Sequence, residues 1–65
     1  MRYEDFKLAI AKQLQSQPDG MTWAELKAGA GLPYKTPCYT WVYRLEAEVG
    51  LVRTKSSRGM IWRLS

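Results

Sequence analysis

Six cations stand in the second half of this chain: Lys35, Arg44, Arg53, Lys55, Arg58 and Arg63. Only Glu46 and Glu48 oppose them, whereas residues 1–32 balance Arg2, Lys7, Lys12 and Lys27 with Glu4, Asp5, Asp19 and Glu25. The whole net charge of +4 therefore lies in residues 33–65. Localised positive charge on a small domain is the electrostatic footprint of a polyanionic partner. The plainer reading, solubilising surface charge, remains open on charge alone. Other chemistry is sparse. With no histidine and one cysteine, Cys38, the chain offers no histidine base, internal disulfide or Cys/His zinc site. Gly29-Ala30-Gly31 lacks the lysine and spacing of a phosphate loop. No cofactor and no enzymatic activity are expected.

Sixty-five residues, 46% of them hydrophobic, suffice for one compact core, so residues 1–65 are expected to form a single domain. No apolar run approaches membrane-spanning length, and Met1-Arg2-Tyr3-Glu4-Asp5 places acid where a signal peptide needs apolar residues. The expectation is a soluble protein of the cytoplasm, at the nucleoid or in a nucleus, without a membrane partner.

The cations need elements to position them. Tyr3, Phe6, Ile10 and Leu14 share one face at helical spacing, which predicts a helix over about 2–16 with Leu8 on the opposite side. Leu8 is either an ordinary exposed leucine or a dimer contact. Gln17-Pro18-Asp19-Gly20 is turn chemistry. Thr22 and Glu25 then make a T-x-x-E capping box, flanked by Met21 and Leu26 as a hydrophobic staple, for a helix over about 22–28. Glycine past its end stops it. Thr36 as N-cap and Pro37 at the first helical position predict a third helix over about 36–48, with Cys38, Val42, Leu45 and Val49 as its core stripe.

Leu51–Lys55 and Met60–Leu64 flank Ser56-Ser57-Arg58-Gly59 as a β-hairpin. Pairing Val52 with Leu64 and Thr54 with Trp62 would put Val52, Met60, Trp62 and Leu64 on one face. Arg53, Lys55 and Arg63 would share the other with Ile61, over a three-residue tip ending at Gly59. Trp23, Trp41 and Trp62 are expected in the core, because large aromatics fill a thin one.

Thr22-Trp23-Ala24-Glu25-Leu26, and the run Val42-Tyr43-Arg44-Leu45-Glu46-Ala47-Glu48-Val49-Gly50-Leu51-Val52, resemble the second helix and the third-helix-to-strand passage of the winged helix-turn-helix family. The resemblance covers essentially the whole chain. It implies a mainly α fold of three helices plus a two-stranded wing. It also implies double-stranded DNA binding, with the third helix in the major groove and the wing on the backbone. Family members often separate their leucine–glutamate pair from glycine–leucine–valine by two residues; here Ala47, Glu48 and Val49 intervene. A narrower resemblance, to winged domains that bind left-handed nucleic acid, extends to Lys35, Tyr43 and Trp62. Tyr39 stands in place of their asparagine and Gly59-Met60 in place of two prolines.

A helical wheel bears independently on the groove-facing surface. Opposite the core stripe lie Thr36, Thr40, Tyr43, Arg44 and Ala47, with Tyr39 at the edge and the carboxylates only on the flanks. Hydroxyls and a guanidinium suit phosphates and base edges, and Lys35 precedes the helix. Arg53, Lys55, Arg58 and Arg63 would hold phosphates without reading sequence. The plain readings are peripheral packing for Tyr39 and Tyr43, and an i,i+4 pair with Glu48 for Arg44. The expected protein is a small transcription regulator. Because one module buries limited area, a homodimer or a place in a larger complex is expected with it. The alternative is a winged helix used for protein–protein contact.

Overall fold

The computed structural model describes residues 1–65 as α1 (Tyr3–Ser16), β1 (Met21–Thr22), α2 (Trp23–Ala30), α3 (Tyr39–Glu48), β2 (Leu51–Ser56) and β3 (Gly59–Leu64). Three helices pack with one antiparallel sheet of order β1-β3-β2. The α1 stripe is as the spacing predicts: Tyr3, Phe6, Ile10 and Leu14 are all buried, and Leu8 is 64% exposed. They meet Leu26, Leu32, Val42, Leu45, Leu51 and Trp62 in one core.

α2 begins at the predicted box. Thr22 Oγ1 accepts from Glu25 N at 3.2 Å, and Glu25 Oε1 accepts from Thr22 N at 2.9 Å. The helix continues through Gly29 to Ala30 and closes on Gly31 at φ +65°, a left-handed conformation that glycine adopts without steric cost. Of the three tryptophans expected in the core, Trp62 is there, and Trp23 and Trp41 are half-buried against it. Trp62 is 1% exposed and stacks on Trp23 at 5.3 Å, and Trp41 packs on Phe6 at 5.1 Å.

Four expectations are corrected. First, the sheet has three strands, because Met21 and Thr22 pair with Trp62 and Ile61 as well as opening α2. Gly20 makes that approach feasible: at φ +98° a Cβ there would lie 2.5 Å from Ile61 Cγ2. Second, the hairpin pairs Leu51 with Leu64, Arg53 with Trp62 and Lys55 with Met60, one residue from the expected register, over a tip of Ser57 and Arg58. Leu51 decides it. Directly after Gly50 it is buried at 4% exposure, and an inward Leu51 forces Arg53 and Lys55 onto the same face. Arg63, opposite Val52, takes the outer face with Ile61.

Third, α3 starts at Tyr39, so neither Thr36 nor Pro37 opens it. Residues 32–38 instead carry Leu32 into the core and Tyr34 against Phe6 and Trp41, at 6.2 and 6.1 Å. These contacts, with a hydrogen bond from Trp23 Nε1 to Lys35 O at 3.1 Å, outweigh the local capping signal. Fourth, Cys38 is exposed at the N-cap of α3, outside the core stripe, because the extended backbone there removes it from the helical face.

Candidate nucleic-acid interface

Burial of Val42 and Leu45 turns the opposite side of α3 to solvent. Tyr39 is 57% and Tyr43 62% exposed, one helical turn apart, with Thr40 and Ala47 exposed beside them. Lys35 and Thr36 are exposed in the loop before the helix. Arg44 lies toward α1. Its guanidinium sits 3.8 Å from the Tyr3 ring centroid, and its Nε donates to Glu48 Oε2 at 3.2 Å. The plain i,i+4 pair therefore forms, with a cation–π contact that the sequence did not suggest.

Glu48 gathers more than Arg44. Its Oε1 accepts from Lys7 Nζ at 3.0 Å and from Tyr3 Oη at 3.1 Å, tying α1 to the end of α3. The Lys7 hydrogen bond, then those from Tyr3 and Arg44, hold the Glu48 carboxyl below its usual range. Burial, reinforced by Glu48, raises the Tyr3 phenol. The hydrogen bond to Glu48 raises Lys7.

The hairpin cations divide. Arg53 and Lys55 lie on the inner face with Trp62 and Met60, as the register requires. The Arg53 side chain is only 19% exposed, with Nε 3.6 Å from Glu46 Oε2 and the guanidinium 5.8 and 5.7 Å from the Tyr39 and Trp62 rings. Lys55 is exposed farther along the same strand. Arg58 at the tip turns to α2, where its Nη2 meets Glu25 Oε1 at 3.0 Å. The Thr22 backbone N–H, and then the charge of Arg58, hold the Glu25 carboxyl below its ordinary range. Arg63 is exposed on the outer face.

Tyr39 and Arg53 thus meet at the helix–hairpin junction, with Lys55 farther along the same face of β2, whereas Arg58 and Arg63 are directed elsewhere. Sequence reasoning missed the carboxylates. Glu25 takes Arg58 from a distant segment and Glu46 takes Arg53 from the next strand, and neither pairing has a helical or strand spacing that gives a signal. The narrower resemblance to binders of left-handed nucleic acid loses its tryptophan, since Trp62 is sealed in the core.

Two surface hollows, of about 290 and 240 Å³, lie behind the hairpin tip and between α1 and α2; no residue of α3 lines either. No three His, Cys, Asp or Glu side chains come together to hold a metal ion, and no helix is long and apolar enough to cross a membrane. No family model, curated protein or solved structure matches the chain.

Proposed function

We propose that this chain is a single winged helix-turn-helix domain that binds double-stranded DNA as a small transcription regulator, with α3 in the major groove and the β2–β3 hairpin as the wing. The observation that carries the reading is the solvent face of α3. Tyr39, Thr40, Tyr43 and Ala47 present hydroxyls, rings and a methyl group, the one carboxylate beside them, Glu46, is held to Arg53, and Lys55 follows Arg53 on the same face of β2. Such a surface can approach a groove edge and donate to phosphate or base acceptors. Lys35, Thr36 and Arg44 border it, and Arg58 and Arg63 reach flanking phosphates. A homodimer on a palindrome supplies the area that one module lacks.

A second reading has its own support. Arg44, Arg53 and Arg58 each have a glutamate partner, while Tyr39, Tyr43 and Met60 are large and exposed. Tyrosine and methionine with few free charges are typical of protein–protein interfaces. Retention on random duplex DNA separates the two. A DNA binder elutes with modest salt and shows NMR shifts on α3 and the hairpin; an interaction module is not retained.

A further inference from the structure

We propose that Arg53 is a positioning residue: it fixes the hairpin against the first turn of α3, so that Lys55 and Tyr39 act on one ligand, and it makes no phosphate contact itself. The inference rests on the duplex-DNA reading above for the ligand, but its geometric part stands on the free protein.

Arg53 comes from β2 directly opposite Trp62. Its guanidinium lies between two aromatic side chains from different elements, Tyr39 at 5.8 Å and Trp62 at 5.7 Å, with Glu46 at 3.6 Å. Nε is buried and makes no hydrogen bond, and the side chain as a whole is 19% exposed. Its charge is already opposed by Glu46 and its side chain is mostly covered, so it is a poorer phosphate ligand than the exposed Lys55 two residues on. What it does in place is join its own strand β2 to both ends of α3, at Tyr39 and Glu46, and to Trp62, which anchors β3 in the core. Arginine suits this position because its delocalised, weakly hydrated cation sits near rings in a half-buried place more readily than a lysine ammonium does.

The test uses the charge-balanced pair Arg53→Met with Glu46→Gln, which leaves the net charge at +4, and Arg53→Lys alone. For the positioning role, both variants lose duplex affinity by about tenfold through a misplaced helix contact, while the slope of log K against log salt stays that of the parent. If the balanced pair flattens that slope by about 0.9 while α3 and the hairpin keep their wild-type orientation, Arg53's own phosphate contact has been removed and the inference is overturned. Arg53→Lys is the second arm, valid even if the balanced pair unfolds: wild-type binding by it also overturns the inference, because lysine replaces arginine at a phosphate but not between two rings. Residual dipolar couplings on the free proteins compare the orientation of α3 and the hairpin. A changed orientation in the variants supports positioning, and an unchanged one overturns it. Should the wild type itself fail to bind duplex DNA, the proposed function falls, and these couplings still decide the geometric part.

Discussion

The root and the tip of the β2–β3 hairpin each hold an arginine against a glutamate, but in different surroundings. At the root, Arg53 is 19% and Glu46 40% exposed, and two aromatic rings flank the guanidinium. At the tip, Arg58 is 60% and Glu25 51% exposed, and the pair meets no ring. Exposed pairs are worth little and are screened by salt, whereas a half-buried guanidinium is costly to leave without partners. The root pair therefore builds the hairpin into the body of the protein. The tip pair is a loose internal contact that a phosphate can replace. The residue types are the same at both ends, and burial and the neighbouring rings separate their roles.

The largest effect is expected beneath the root. Trp62→Ala removes the buried ring that faces Arg53 and stacks on Trp23, at a cost of about 3–5 kcal/mol. A domain of this size has little more than that in total, so the variant should be unfolded or loosely packed by circular dichroism and urea titration. A cooperative transition near that of the wild type would break the root-and-tip distinction, because the root would then not depend on its core anchor.

Part of this contrast was readable in the sequence and part was not. The α1 stripe and the Thr22–Glu25 box each depend on one segment, so spacing and capping chemistry sufficed. The hairpin register depends on Leu51 entering the core and on β1 occupying the second edge of β3. A two-residue strand such as Met21–Thr22 shows no alternation to read. The start of α3 was misread because Thr36-Pro37 is a sound local signal that loses to the packing of Leu32 and Tyr34. The site was legible in residue type but not in direction. The exposed hydroxyls of α3 followed from the wheel, whereas Arg53 turning inward and Arg58 turning to α2 followed from a register and a carboxylate that no periodicity reveals.

Tyr43 sharpens the comparison from the side of α3, since it is 62% exposed and belongs to neither hairpin pair. Tyr43→Ala should keep the wild-type melting temperature and lower binding to a selected site by about 1–3 kcal/mol relative to random duplex, the cost of a lost base contact. Fluorescence anisotropy on both duplexes checks it. Equal weakening on the two would make Tyr43 a backbone contact.

A third pair, Arg44–Glu48, adds a dependence on acidity. Because Glu48 is held below its ordinary range, its contribution to stability is present above the unfolded carboxylate range. It is lost as pH falls through the lowered folded value. Tyr3 and Lys7 are raised, so their contributions hold below their unfolded values near 10 and are lost as pH climbs through the folded ones. Urea midpoints measured against pH should therefore drop at both extremes. Glu48→Gln should reduce the loss on the acid side; an unaltered acid limb would remove Glu48 from the account.

At the tip the effects are smallest. Glu25→Gln preserves the capping box, since glutamine serves at that position, and releases Arg58. Binding to random duplex should tighten slightly, with only a small fall in melting temperature because the group is exposed. Weaker binding by a folded Glu25→Gln protein would show that the carboxylate holds Arg58 where it is needed.

The salt dependence of duplex binding tests the central claim most directly. Isotope-labelled wild-type protein titrated with random duplex DNA at several salt concentrations gives affinity and interface in one experiment. With Lys35, Lys55, Arg58 and Arg63 on phosphates, about four contacts form, and log K should fall against log salt with a slope of about −3.5. The shifts should concentrate on Tyr39, Thr40, Tyr43 and the hairpin. A slope near zero, or shifts centred on Leu8 and the exposed side of α1, would contradict the account.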